Sequence, residues 1–274
     1  MSWAIGFSGS WDHHDLFEPS LLLLLLGLVT AIYWAGGQHA ELLLALNYED
    51  PTLYQFYTAA YVHANASHLL GNVVGYLLAV GPLYALSDYQ DRRREFFRAF
   101  AFIVLAVPVI ANVASYLTWG IVVDAPIGYG RGLSGVVAAF GGLLLVRILD
   151  AYDEALPEKD AMGAASLFGI TLFATWALTF AGLIRILMVG LLVVLLAVAA
   201  YASWNGSVAV DGLVEWGRDN DRLAMILLFG TFAALYLVVA TFPASVQNQG
   251  GFTNLVGHGA GFFTGMLVAQ VGSR

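Results

Sequence analysis

Cysteine is missing from the 274-residue chain, and lysine occurs once, at Lys159. The first absence excludes disulfides, a thiol nucleophile and any cysteine-ligated metal. Charge is scarce as well: 11% of the residues are charged and 59% are apolar, against about 25% charged in soluble domains. That scarcity excludes a water-soluble globular protein. The net charge is −8, and no nucleic-acid partner is expected. An acidic, lysine-poor composition suits a high-salt organism and an ordinary acidic membrane protein equally. No basic stretch precedes the first apolar run, where Asp12, Asp15 and Glu18 stand instead; a cleavable signal peptide is not expected. Gly/Ser linkers, long-period repeats and low-complexity tracts are also lacking, apart from the leucine run that starts at Leu21.

What is present is a series of long apolar windows of spanning length. They fall near 20–36, 66–86, 99–119, 132–149, 163–181, 183–203, 222–242 and 253–271. The expected fold is an all-α transmembrane bundle of about eight spans in a lipid bilayer, forming one integral domain over 20–274 behind a cytoplasmic tail, 1–19. Between the fifth and sixth windows the only break is Gly182 and Arg185. The run E-L-L-L-A-L within 37–62 is too short to span and is expected at the interface. Cytoplasmic placement of the N-terminus puts Arg92, Arg93, Arg94, Arg98, Arg147, Lys159, Arg218, Arg222 and Arg274 inside, leaving only Arg131 and Arg185 outside. That is the bias of the positive-inside rule.

Polar groups at membrane depth are costly, and each raises a functional question. Few occur here. Y-V-H-A-N-A-S-H-L-L-G-N opens the second window with His63, His68 and Asn72; R-G-L-S-G opens the fourth with Ser134; N-L-V-G-H-G-A-G opens the last with His258. His68 and Asn72 are four apart and share a helix face, whereas His63 and His68, on one continuous helix, would point apart. With the N-terminus inside, all three helices run inward, so His68, Asn72, Ser134 and His258 reach one layer below the external surface. Ser134, Ala138 and Gly141 form one stripe, and His258, Gly261 and Gly265 another. Small-residue stripes allow close approach of membrane helices, close enough for Ser134 to meet His258. His13 and His14, beside Asp12 and Asp15, read as a solvated tail; no metal and no cofactor are expected.

A serine beside a neutral histidine is the minimum for acyl transfer: the imidazole takes the hydroxyl proton and returns it to the leaving amine. No carboxylate is well placed behind His258, Asp124 being the only near candidate, so a dyad is expected. An oxyanion would find donors at the helix start carrying Ser134 and in His68 and Asn72, while Gly132 and Gly135 permit close approach.

These motifs together resemble the rhomboid family of intramembrane serine proteases: G-L-S-G at Gly132–Gly135, H-x-x-x-x-H-x-x-x-N from His63 to Asn72, and H-x-x-G-x-x-x-G from His258 to Gly265. The resemblance covers roughly 38–150 and 222–271. It implies a six-helix core, to which the window count adds two helices, and an active site open to the external side of the cell membrane. It implies Ser134 as nucleophile, His258 as general base, and an oxyanion site from His68, Asn72 and the Ser134 amide, with His63, Gly132, Gly135, Gly261 and Gly265 in support. Substrates would be transmembrane proteins cut near the external ends of their helices. Two positions depart from the family pattern. Tyr54 and Gln55 stand where Trp-Arg is common, and Ala138 replaces a tyrosine that stacks on the histidine, so another aromatic would have to cover His258 or leave it less firmly held. Q-N-Q-G-G, 247–251, resembles a flexible cap over the site. The same residues suit a proton relay through His68 and His258 in a transporter, or a rhomboid-like protein that binds helices without cutting them. H-E-x-x-H is absent, Asp124, Asp150 and Asp160 are read as lying at ends or in loops, and G-Y-G-R-G follows no strand, which sets aside zinc, aspartyl and nucleotide chemistry.

Overall fold

Asn65 marks the start of the first polar helix. Its backbone is extended, and its side-chain oxygen accepts the His68 amide at 2.9 Å and the Ser67 hydroxyl at 2.7 Å, capping helix donors that have no partner of their own. The computed structural model of the protein describes residues 13–123, 128–177, 189–197, 211–242, 247–248 and 251–272. In chain order the helices are α1 (His13–Ala31), α2 (Gly37–Leu44), α3 (Gln55–Thr58), α4 (Ala66–Tyr89), α5 (Arg93–Ser115), α6 (Ser134–Ala155), α7 (Glu158–Ala177), α8 (189–197), α9 (Asp211–Asp219), α10 (Asp221–Thr241) and α11 (Leu255–Gly272). Two short antiparallel pairs join them: β1 (Leu46–Asn47) with β2 (Tyr129–Gly130), and β3 (Gln247–Asn248) with β4 (Gly251–Phe252).

The architecture is an all-α bundle. Five helical segments are long and apolar enough to cross a membrane: Phe17–Gly36, Ala66–Tyr89, Arg93–Val122, Ser134–Ala155 and Asp221–Thr241. Two shorter apolar helices, Gly163–Leu172 and Leu255–Val271, accompany them. The fifth expected window corresponds to α7; of the sixth, only α8 is described, and the expected break at Gly182 and Arg185 lies outside the described residues. The leucine run after residue 40 ends α2, which follows α1 through a π-turn, Ile32–Gly36, and leads into β1.

Helix α6 occupies the centre. Of its most apolar stretch 61% is buried, against 17% for the first span. Phe140 anchors it, with Tyr76 of α4 edge-on at 5.8 Å and Phe100 of α5 at 5.5 Å. The buried Tyr76 hydroxyl donates to the Leu22 carbonyl of α1 at 2.8 Å, so the polar end of an otherwise apolar side chain is satisfied.

The bundle has two unlike ends. At one, Arg93 pairs with Asp88 and Glu18, Arg222 with Asp88, Arg92 with Glu154, and Arg147 with Glu95. These pairs gather the starts of α1, α5 and α10 with the ends of α4 and α6. Asp150, which the window boundaries place beyond a helix end, lies inside α6 toward this end because α6 runs on to Ala155. Trp216 of α9 and Tyr152 of α6 both pack against the cluster of Leu156, Ala161 and Ala164 at the turn from α6 to α7. The chain therefore leaves this end with α7 and is back at it by α9. At the opposite end α4, α6 and α11 all begin.

Candidate active site

The turn into α6 is built by Gly132. Its φ of +115° is a conformation that side-chain-bearing residues rarely adopt, and its amide donates to the Ala59 carbonyl at 2.9 Å. A Cβ there would strike the His68 imidazole and lie 3.4 Å from Asn72 Nδ2. The glycine thus lets the backbone ahead of Ser134 press directly on two polar side chains of α4. Ser134 is the first residue of α6, so its amide belongs to the set of helix-start donors without an intrahelical acceptor.

His258 arrives on α11, which meets α6 backbone to backbone. A Cβ on Gly261 would overlap the Gly135 carbonyl, one on Gly265 the Ala139 carbonyl, and one on Gly142 the Phe262 carbonyl. The α11 stripe is the one expected. The α6 stripe is not: the seam uses Gly135, Ala139 and Gly142, one residue beyond Ser134, Ala138 and Gly141, and Gly141 faces Leu237 of α10. Helical side chains lean toward the N-terminus. Accordingly, the residue whose hydroxyl reaches across the seam is not the residue that forms its floor.

Across this seam His258 Nε2 lies 2.8 Å from Ser134 Oγ. The other ring nitrogen, Nδ1, is 3.0 Å from the Thr241 carbonyl. A carbonyl only accepts, so Nδ1 carries the proton, and in the neutral ring Nε2 is left as acceptor for the serine hydroxyl. Thr241 ends α10, where carbonyls lack an intrahelical donor and carry the negative end of the helix dipole. A backbone carbonyl therefore occupies the place behind the imidazole where a triad would have a carboxylate. Asp124 lies outside the described residues.

His63 corrects the helical-wheel argument. It precedes the cap Asn65 and is not on α4, so its ring meets that of His68 edge-on with centroids 5.2 Å apart. It is buried, and its Nε2 accepts the Leu133 amide in a long contact of 3.5 Å. Burial, with His68 beside it, lowers its pKa to about 4, so it is neutral at ordinary pH. Asn72 is also buried, and its Nδ2 has no hydrogen-bond partner among the described residues. An unpaired buried donor is costly.

His68, Asn72, Ser134, His258 and Gly132 line one cavity of about 600 Å³, with Tyr48, Trp119, Tyr129 and Tyr236 also in its wall. Arg131, at its edge, forms an ion pair with Glu41 of α2. Gln55, at one departing position, is buried and knits the preceding loop: its Oε1 accepts the amides of Thr52 at 3.1 Å and Asn47 at 3.3 Å, while the Tyr54 hydroxyl donates to the Leu43 carbonyl at 3.0 Å. At the other, Ala138 is buried, and it is the Thr241 carbonyl that holds the imidazole. The expected cap forms the β3–β4 hairpin, with residues 249 and 250 outside those described.

Two features of the site lie outside the sequence motifs. Nothing in a sequence marks the Thr241 carbonyl. Asn254, in contrast, stands just ahead of α11 and accepts the Gly257 amide at 3.0 Å, a helix-start signal readable from an asparagine before an apolar run. No protein-family model matches the chain, and no curated protein matches it at significant similarity.

Proposed function

We propose that the protein is an intramembrane serine protease of the rhomboid type, cutting peptide bonds in or near transmembrane helices of other membrane proteins. The observation that carries this reading is the Ser134–His258 hydrogen bond of 2.8 Å, with the imidazole oriented from behind by Thr241. In the reaction Ser134 Oγ attacks the scissile carbonyl as its proton passes to His258 Nε2. The resulting imidazolium keeps its Nδ1 proton on the Thr241 carbonyl, whose partial negative charge favours the cation. The Ser134 amide, the free Asn72 Nδ2 and the His68 ring supply the oxyanion donors. His258 then returns the proton to the leaving amine, and water reaching the cavity releases the acyl chain.

In this reading α1, α4, α5, α6, α10 and α11 are the six-helix core, and α7 and the segment containing α8 are additions between the serine helix and α10. The return of the chain to the ionic end at α9 supports an insertion that preserves direction. The ionic end would face the cytoplasm with the N-terminus and the cavity would open externally, in keeping with the distribution of arginine.

Cleavage of a model transmembrane substrate tests the reading. Ser134→Ala is expected to remove all measurable cleavage, on the order of 10⁶-fold, with expression and folding unchanged; continued cleavage refutes it. His68→Ala and Asn72→Ala are expected to lower turnover by about 10²–10³ for a strong donor. Unchanged rates in both would remove them from the oxyanion site.

A further inference from the structure

At the start of α11, one turn ahead of His258, lies a hydrogen-bonded node that the dyad chemistry does not use. Asn254 Oδ1 accepts two donors, the Gly257 amide at 3.0 Å and the Trp119 indole N–H at 3.2 Å. Asn254 Nδ2 donates to Ser115 Oγ at 2.6 Å, and that hydroxyl, fully buried, donates to the Ala111 carbonyl at 2.7 Å. The Asn254 carbonyl in turn accepts the His258 amide at 3.0 Å. Space is as constrained as the bonding: a Cβ on Gly257 would lie 2.7 Å from Ser115 Oγ and 2.8 Å from Asn254 Nδ2. Trp119 sits in the π-turn Tyr116–Val122 that prolongs α5, a kind of irregularity that recurs at functional sites.

From this geometry we infer that Asn254 is a positioning residue for the base: by capping α11 and clamping that cap to Ser115 and Trp119 of the α5 segment, it sets the depth and rotation at which His258 meets Ser134. The seam glycines bring α11 and α6 together along their length but, having no side chains, place no hydrogen bond that would stop α11 sliding or turning. The Asn254 node supplies directional contacts one turn ahead of the imidazole. A shift of about 1 Å at a reacting pair is enough to cost about 10²-fold in rate.

The activity readout rests on the protease reading, so the experiment pairs it with one that does not. Asn254→Ala, Asn254→Asp and Ser115→Ala are compared with the parent protein in thermal stability, in kcat and KM on a transmembrane substrate, and in the ¹⁵N shifts of the His258 ring. Asn254→Ala is expected to lower kcat about 10²-fold with KM little changed, and to move the Nε2 shift as the Ser134 hydrogen bond is lost. Asn254→Asp keeps acceptors for Gly257 and Trp119 and recovers most of the rate; Ser115→Ala falls between. Variants that lose thermal stability while kcat per folded molecule and the His258 shifts stay at parental values would overturn the inference. A parent protein without cleavage would count against the protease reading alone, and the ring shifts would still decide the role of Asn254.

Discussion

The two ends of the bundle solve the same problem with opposite chemistry. At one end long charged side chains reach between α1, α4, α5, α6 and α10, and their pairs are part-exposed, with Arg222 at 67%. At the other, neutral groups do the work: imidazoles, an amide, a hydroxyl and backbone carbonyls, many of them buried, with Arg131–Glu41 at the rim. Flexible ion pairs in water tolerate displacement and are individually weak. Short neutral hydrogen bonds from backbone-locked positions do not tolerate it. Precision is therefore concentrated where α4, α6 and α11 begin, while the charged end joins its helices through displaceable ion pairs.

The seam is the place most sensitive to substitution. Gly265→Val sets a branched side chain against the Ala139 carbonyl and is expected to cost at least about 3 kcal/mol, read as loss of folded protein in detergent. The buried His63 gives a smaller effect, which depends on pH. The unfolded imidazole binds a proton below its usual 6.5, while the folded one resists until about 4. Stability held at neutral pH is therefore lost as pH falls through that interval, by at most about 1.4 kcal/mol per pH unit. His63→Gln should flatten that part of a stability–pH profile. A slope unchanged by the substitution would show that other groups carry it. Smallest of all, Arg222→Ala at the ionic end should change stability by no more than about 1 kcal/mol and leave any activity at the far end untouched, as melting curves and rate measurements would register.

Much of the site geometry was legible in advance because membrane burial makes polar residues few. With His68, Asn72, Ser134 and His258 each near the start of an apolar run, and Gly261 and Gly265 one and two turns beyond the histidine, spacing points to a meeting of three helix starts once the arginine distribution sets all three helices running inward. What was not legible depended on where helices begin. Helical spacing alone puts His63 on the wheel of α4, yet Asn65 caps that helix two residues later, so the rings of His63 and His68 meet edge-on. The α6 seam was displaced by one residue because a serine that reaches across a contact and a glycine that floors it occupy adjacent positions. The support behind His258 was invisible for a different reason: the Thr241 carbonyl is backbone, available only because α10 ends there.

A fluorophosphonate probe followed by mass spectrometry puts the central claim to its most direct trial, since it reports whether the imidazole activates the serine without needing a known substrate. A single phosphonylated residue is expected, Ser134, whose labelling disappears in His258→Ala. An unlabelled Ser134 in folded protein, or labelling indifferent to His258, would contradict it.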